Sequence, residues 1–257
     1  MIINNIIGGL GNAMFQIAAG YAHSLKCKTD YAINYSLPAQ PGQGEHHIKY
    51  KTNIFSKIKE TDRDYFPTFN QDVRHFNYRP IPIREDLCLQ GYFQSDKYFK
   101  MYEDHIRDLF FIPQELQKKM HNKLRLFKNK KIGIHIRWGD YKDISDHLPP
   151  ITKEYIYKAV SQFNDNQSDF ILFTDDLDLV KQQIDTTRFN FLDNTNELED
   201  LVSLSMCDSV IMSNSSFSWW GSWLGKTKEK VIAPKDWFGI KGPWLYDDIF
   251  RDEMTVI

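Results

Sequence analysis

A histidine and an arginine stand two residues apart beside a Gly-Asp pair, a combination that can bind an anion. The stretch 131–141 reads K-I-G-I-H-I-R-W-G-D-Y, with isoleucines alternating with Gly, His and Arg. This period of two predicts a strand, and Gly139 then allows a sharp turn. The guanidinium of Arg137 is permanently charged and can donate two hydrogen bonds to phosphate oxygens. The stretch predicts either such a ligand site or an arginine that only braces the turn by pairing with Asp140 or Asp143.

A second anion site is indicated by the segment Asn214-Ser215-Ser216-Phe217. It follows a predicted buried strand and opens a predicted helix. Free N–H groups at a helix start, together with two hydroxyls, suit a phosphate. An ordinary serine N-cap is the alternative.

Acidic residues follow another predicted strand, at Asp175, Asp176 and Asp178. Asp176 and Asp178 form a D-x-D, and paired carboxylates can ligate Mg²⁺ or Mn²⁺. An acid at a strand end can instead cap the next helix or bind a nucleoside. The position favours a nucleoside contact over a metal.

The glycines at 8–12 lie between a predicted strand and a predicted helix, where backbone can approach a ligand closely. The resemblance to a dinucleotide fingerprint is incomplete, because Gly9-x-Gly11 is followed by Met14 at the third position. The acidic residue expected after the second strand is also missing, and Asn34 lies nearby. This segment predicts either a binding loop or a plain tight turn.

The elements that must position these residues alternate regularly in the second half of the chain. The hydrophobic pattern predicts strands at 131–137, 169–174, 188–193, 209–213 and 230–233. Between them it predicts helices at 152–163, 177–184, 196–206 and 216–224. Asn196 and Glu199 have the spacing of a capping box. This order is typical of a parallel, doubly wound sheet, so the polar stretches lie at the carboxyl ends of strands.

The first half begins in the same way and is weakly periodic later on. Strands are predicted at 2–7, 31–35 and 86–92, helices at 13–25, 93–110 and 113–127, and a loop at 37–47. We therefore predict an α/β protein with two Rossmann-like domains, residues 1–128 and 129–257, facing each other across a cleft. A cleft with Arg137, a serine-rich helix start and a nearby acid fits a nucleotide-sugar transferase.

Composition excludes several other classes. The chain has 257 residues, 42% of them hydrophobic, and a formal net charge of −2, which gives no footprint for nucleic acid. Its three cysteines are scattered, which argues against a disulfide framework and fits a reducing cytosol. The N-terminus lacks a signal-peptide pattern, and no apolar run is long enough to span a membrane. We expect a cytoplasmic protein with at most peripheral membrane association.

Four stretches together resemble the bacterial α-1,2-fucosyltransferases of glycosyltransferase family 11. They are G-G-L-G-N-A-M-F-Q at 8–16, G-Y-F-Q-S at 91–95, H-I-R-W-G-D-Y at 135–141 and N-S-S-F-S-W-W-G at 214–221. They follow the family's order along nearly the whole chain. The sequence departs from the family at Ala13, where glutamine is usual, and at Trp138, where a second basic residue is common.

The resemblance implies a GT-B-like fold and inverting transfer of L-fucose from GDP-fucose to the 2-hydroxyl of a galactoside, without a cofactor or metal. The acceptor would be a galactoside-terminated oligosaccharide or lipid-linked glycan of the bacterial surface. The catalytic candidates are Arg137, Asn12 and Asp140. The donor-binding candidates are Gly9, Leu10, Gly11, His135, Asp175, Asp176, Asn214, Ser215, Ser216 and Phe217. No general base is evident, and Asp140, Asp143 and His147 qualify by position alone.

Overall fold

The computed structural model describes residues 1–35, 47–63, 67–225 and 228–257 and divides into two compact units. The first unit is Met1–Pro113 with Pro243–Arg251, and the second is Gln114–Gly242 with Asp252–Ile257. The first unit therefore ends earlier than the sequence-based boundary between residues 128 and 129, and a short segment near the C-terminus returns to it. The loop predicted at 37–47 lies almost entirely outside the described residues.

Within the described residues, the first unit has a five-stranded sheet in which every pairing is parallel. Its strands are β1 (Ile2–Asn4), β2 (Tyr31–Ile33), β3 (Lys59–Glu60), β4 (Thr68–Asn70) and β5 (Leu87–Gln90). They lie in the order β3-β2-β1-β5-β4. Helix α1 (Leu10–Cys27) follows β1, and α2 (Glu103–Leu109) follows two short 3₁₀ turns after β5.

The predicted helix at 93–110 is wrong in its first half. Gly91 has a φ of 145° and Phe93 a φ of 50°, and neither value belongs to a helix. Gln71 stabilises this irregular backbone, because its Oε1 accepts hydrogen bonds from the N–H groups of Tyr92 and Phe93, both at 2.9 Å. The α-helix therefore starts only at Glu103.

The second unit has a parallel six-stranded sheet among the described residues, in the order β11-β10-β9-β6-β7-β8. Its strands are β6 (Lys130–Ile136), β7 (Ser168–Thr174), β8 (Phe189–Phe191), β9 (Ser209–Ile211), β10 (Lys230–Ala233) and β11 (Met254–Val256). Its helices are α3 (Gln114–Leu124), α4 (Lys153–Val160), α5 (Leu177–Gln183), α6 (Glu197–Ser205) and α7 (Ser216–Leu224). The predicted alternation of strands and helices is confirmed, and β11 is an addition that the sequence did not predict.

Side-chain caps fix where α4 and α6 of the second unit begin. Thr152 accepts a hydrogen bond from the N–H of Tyr155 at the start of α4, and Asn196 accepts one from Glu199 at the start of α6. The capping prediction for Asn196 is thereby confirmed. Each cap satisfies an N–H group that has no partner within its helix, so the strand-to-helix turns are well defined.

Strand β6 is buried on both faces. Its isoleucines, Ile132, Ile134 and Ile136, belong to a core cluster that includes Ile156 of α4. On the other face Gly133 lies so close to α6 that an added Cβ would be 2.5 Å from Leu204. Parallel sheets are covered by helices on both faces, and the alternation of side chains along β6 places each set against a different helix layer.

Candidate active site

The polar loops of the second unit meet at one edge of its sheet. Strands β9, β6 and β7 are adjacent and parallel, with Ile134 paired to Ile211 and His135 paired to Phe173. The segments that follow these strands therefore leave from the same edge. This places Arg137, Asp175 and Ser215 on neighbouring loops, as the sequence predicted.

Arg137 forms a bidentate ion pair with Asp140. Its Nε donates to Oδ1 at 3.0 Å and its Nη2 donates to Oδ2 at 2.7 Å. The guanidinium also lies 5.2 Å from the ring centroid of Tyr141. Burial alone would lower the pKa of Arg137, but the hydrogen bond and charge of Asp140 raise it, so the group stays charged. Among the described residues nothing hydrogen-bonds to Nη1, and the side chain is 23% exposed.

Asp175 holds the turn that follows β6. Its Oδ1 accepts hydrogen bonds from the backbone N–H groups of Trp138 and Gly139, at 3.2 and 3.3 Å. A Cβ on Gly139 would lie 2.9 Å from Oδ2 of Asp175, so any other residue at this position would force the carboxylate to shift. The carboxylate therefore fixes the backbone on which Arg137 is carried.

His135 is buried beside the start of α7. Its Nδ1 lies 2.6 Å from the hydroxyl oxygen of Ser213, and its ring centroid is 5.1 Å from that of Phe217. Burial, with a contribution from the charge of Arg137, lowers the pKa of His135 to about 3. The imidazole is therefore neutral at physiological pH, so one ring nitrogen can donate a hydrogen bond and the other can accept one, while the ring carries no charge.

The start of α7 is organised by its own side chains. Ser215 caps the helix by accepting a hydrogen bond from the N–H of Phe217 at 3.3 Å. The side-chain amide of Asn214 donates to the carbonyls of Pro149 and Trp237, at 2.9 and 3.0 Å. Asn214 and Ser215 are thus both buried and hold the loops, whereas Ser216 is half-buried at the first position of the helix.

Asp176 caps α5, with its Oδ1 accepting from the N–H of Leu179 at 2.9 Å. No group of three or more His, Cys, Asp or Glu side chains that could hold a metal ion occurs within the described ranges. The capping alternative weighed for Asp176 is therefore realised, while a nucleoside contact by Asp175 or Asp176 stays a prediction.

Trp138 has a structural task that the sequence did not indicate. Its indole packs in the core cluster with Ile156 of α4, and its Nε1 donates to the carbonyl of Ile151 at 2.8 Å. The side chain at position 138, where a second basic residue is common in the family, is thus buried in the core. Arg137 is therefore the arginine that this loop can offer to a ligand.

The other predicted residues lie in the first unit. Gly8 has a φ of 82°, and Gly9 precedes α1 without a side-chain cap, so Leu10, Gly11 and Asn12 form the uncapped first turn of that helix. The Oδ1 of Asn12 accepts a hydrogen bond at 2.8 Å from Gln94, 82 residues further along the chain.

Gln16 braces the same turn. Its Oε1 accepts from the N–H of Ile7 at 3.0 Å, and its Nε2 donates to the carbonyls of Ile7 and Asn12 at 2.7 and 2.9 Å. Gln16 and Gln94 were not predicted, although both lie inside the stretches that carry the resemblance. Only the pairing of distant residues shows their role.

The sequence matches a known protein family over most of its length. The family described as Glycosyl transferase family 11 matches residues 8–255. The chain belongs to glycosyl transferase family 11. The resemblance inferred from the four stretches is thereby confirmed, and the protein is a glycosyltransferase.

Two curated relatives from Escherichia coli match this glycosyltransferase over most of its length. The O-antigen biosynthesis glycosyltransferase WbnK is 26% identical over 281 residues, covering 90% of the chain and 93% of WbnK. An alpha-1,2-colitosyltransferase is 24% identical over 271 residues, covering 93% of the chain and 92% of the relative.

Solved structures show the fold. The fucosyltransferase NodZ from Bradyrhizobium superposes with a TM-score of 0.56 at 13% identity, covering 90% of this family 11 chain and 94% of NodZ. NodZ alpha-1,6-fucosyltransferase co-crystallised with GDP gives the same TM-score and identity over 90% and 93%. The predicted GT-B-like α/β class is confirmed. No helix among the described residues has the length and apolar character that crossing a membrane requires.

Proposed function

We propose that this glycosyltransferase moves L-fucose from GDP-fucose to the 2-hydroxyl of a galactoside, with inversion at the sugar carbon. The observation that carries the proposal is Arg137, a charged guanidinium at the carboxyl edge of the sheet whose Nη1 bonds to no described residue. In a family 11 chain, such a group suits the diphosphate of a nucleotide-sugar donor.

Arg137 would stabilise the leaving group. When the acceptor hydroxyl attacks C1 of fucose, the C1–O bond breaks and negative charge develops on the β-phosphate oxygen. A preorganised donor aimed at such charge is typically worth about 3–4 kcal/mol of transition-state stabilisation. The ion pair with Asp140 holds the guanidinium in place, so the group needs little rearrangement when the charge forms.

The remaining donor contacts are assigned to the same sheet edge. We infer that His135, Phe217 and Ser216 touch the nucleotide, and that Asn214 and Ser215 shape the loop around it. We also infer that Asp175 and Asp176 contact the nucleoside in addition to making their structural hydrogen bonds.

In the first unit we assign the turn 9–11 and Asn12 to sugar or donor contacts. That turn presents backbone N–H groups from an uncapped helix start, and the side chain of Asn12 is held by Gln94. On this basis we infer that the N-terminal domain binds the acceptor and that the C-terminal domain binds GDP-fucose.

Asp140 is poorly suited to act as the general base. Both oxygens of Asp140 are engaged by Arg137, which outweighs the effect of burial and lowers the pKa of Asp140. Such a carboxylate is a weak base, so we assign Asp140 to holding Arg137. Asp143 and His147 are exposed and stand as the two candidates for the base.

We infer that the transfer needs no divalent metal, because Arg137 can supply the positive charge that a metal would otherwise bring to the diphosphate. The test is activity after dialysis against EDTA. Full activity agrees with the inference, and loss of activity that added Mg²⁺ or Mn²⁺ restores contradicts it.

The name of one relative favours a second candidate donor. The match to an alpha-1,2-colitosyltransferase covers 92% of that relative. Its name supports the 1,2 linkage, and it names colitose as an alternative to fucose. WbnK supports an acceptor in surface-glycan synthesis, which would lie on the cytoplasmic side as an oligosaccharide or a lipid-linked glycan.

The donor is identified by calorimetric titration with GDP, ADP and UDP, followed by GDP release from GDP-fucose and from the matching colitose donor with galactoside acceptors. Tight binding of GDP alone and turnover of GDP-fucose support the proposal. Turnover of the colitose donor alone selects the second candidate, and binding without any turnover indicates a binding protein instead.

A further inference from the structure

The hydroxyl of Ser213 has a single hydrogen-bond partner among the described residues, the Nδ1 of His135. The two atoms are 2.6 Å apart. Ser213 lies two residues after the end of β9 and is completely buried, and His135 on β6 is 6% exposed. The residues are 78 positions apart in the chain, and the adjacent pairing of β6 with β9 brings them together.

The direction of this hydrogen bond follows from what a buried hydroxyl needs. A serine can donate one hydrogen and accept others, whereas a neutral imidazole carries its hydrogen on one nitrogen only. If Nδ1 carried the hydrogen, Ser213 would accept it, and the hydroxyl hydrogen would then point at no acceptor in a site closed to water. An unmade buried hydrogen bond is costly, so Ser213 must donate to Nδ1.

The hydrogen of the imidazole then lies on Nε2. No described residue hydrogen-bonds to Nε2, and this atom is not among the fully buried polar atoms that lack a partner. Nε2 is therefore not fully enclosed and keeps its hydrogen available for a ligand. Arg137 follows directly after the end of β6, and its charge contributes to the lowered pKa of His135, so an anion held by Arg137 would lie near this N–H.

We propose that Ser213 is a positioning residue that fixes His135 in the tautomer with its hydrogen on Nε2, so that His135 donates to an anionic oxygen of the bound nucleoside diphosphate. The ligand assignment rests on the proposed function, and the tautomer assignment does not. Burial and the charge of Arg137 also hold the pKa of His135 at about 3, which keeps the ring neutral. Which of the two ring nitrogens carries the hydrogen then decides what His135 can donate to.

The tautomer is measured on the unmodified full-length protein by long-range ¹H–¹⁵N correlation of the histidine rings. The His135 signals are identified as those missing from the spectrum of His135→Asn. We expect a protonated Nε2 and an unprotonated Nδ1 from pH 6 to pH 8. A hydrogen on Nδ1 would overturn the proposal whatever the enzyme binds.

The consequence for binding is measured with Ser213→Ala, using Ser222→Ala as the matched control. Ser222 is also buried, but its hydroxyl donates to the carbonyl of Trp219 within its own helix. We expect mixed tautomers and about three- to tenfold weaker GDP binding in Ser213→Ala, and wild-type behaviour in Ser222→Ala. A folded Ser213→Ala that keeps both the tautomer and the affinity of the wild type contradicts the proposal.

The two proposals fail separately. If the wild-type protein does not bind GDP, the proposed function fails while the tautomer measurement still decides the role of Ser213. If Ser213→Ala does not fold, the tautomer of the wild-type protein remains decisive.

Discussion

Arg137 and Asp140 share two parallel hydrogen bonds, from Nε to Oδ1 at 3.0 Å and from Nη2 to Oδ2 at 2.7 Å. This geometry uses one side of the guanidinium fork and leaves Nη1 on the other side. The two interpretations of Arg137, a brace for the turn and a ligand for phosphate, are therefore compatible. The brace orients the group that we propose to bind the diphosphate.

Replacement of Arg137 should remove transition-state stabilisation without unfolding the protein. We expect Arg137→Ala to lower kcat/KM roughly 10²-fold or more, and Arg137→Lys to recover only part of the loss, because lysine cannot donate in a planar fork. Arg188→Ala is the control, since Arg188 lies at the amino end of β8, whereas Arg137 follows the carboxyl end of β6. Turnover near that of the wild type in folded Arg137→Ala would refute the assignment.

Asp140 should act through Arg137 and not as a base. We expect Asp140→Asn to lower kcat/KM about tenfold in the wild-type background and hardly at all in Arg137→Ala, because the two residues form one unit. The pH–rate profile of Asp140→Asn should keep its shape. If Asp140 were the general base, Asp140→Asn would instead cause an equal loss in both backgrounds. Asp143→Ala and His147→Ala are measured in the same way, because these two residues are the candidates for the base.

Gly139 and Asp175 should be energetically coupled. A methyl group at Gly139 would displace Asp175, whose Oδ1 holds the N–H groups of Trp138 and Gly139. We expect Gly139→Ala and Asp175→Ala each to weaken GDP binding about tenfold, and the double variant to be no weaker than either one. A double-mutant cycle by calorimetry measures this, and simple addition of the two losses would show that the residues act independently.

His135 should make the protein less stable as the pH falls below neutrality. Its pKa is about 3 in the folded protein, against an ordinary 6.5, so the unfolded chain takes up a proton that the folded chain refuses. The free energy of unfolding therefore decreases from about pH 6.5 downwards, by at most ~1.4 kcal/mol per pH unit from this one group. We expect urea unfolding of His135→Asn at pH 7 and pH 5 to show a smaller decrease than the wild type.

Asp200 provides the internal check on that measurement. Burial raises its pKa to about 6, so this carboxyl stabilises the fold in its protonated form, and its contribution is lost as the pH rises towards 6. Its slope is opposite in sign to that of His135. Asp200→Asn should therefore steepen the decrease on acidification, and equal decreases in all three proteins would contradict both assignments.

Much of the fold was predictable because its signals are local. The alternation along 131–137 follows from the two faces of a strand, and the start of α6 follows from the Asn196 cap. Strand β11 was missed because its three residues carry no periodic pattern, and β3 because its two residues are exposed charges.

The site was predictable in its residue types but not in its contacts. Arg137, Asp175 and Ser215 could be placed on one edge because parallel strands end together. The roles of Ser213 and Gln94 depend on partners 78 and 82 residues away, and no sequence pattern encodes such pairings. Trp138 was understood only as a lost basic residue, and its place in the core required the packing of α4.

The linkage of the reaction product tests the proposed function directly. GDP-fucose is incubated with lactose and with 2-deoxygalactose-containing acceptors, and the linkage of the purified product is determined by NMR. We expect fucose joined in α-1,2 linkage to galactose, no product when the 2-hydroxyl is absent, and almost none from Arg137→Ala. A product linked at another hydroxyl, or equal product from the acceptor that lacks the 2-hydroxyl, would contradict the proposed function.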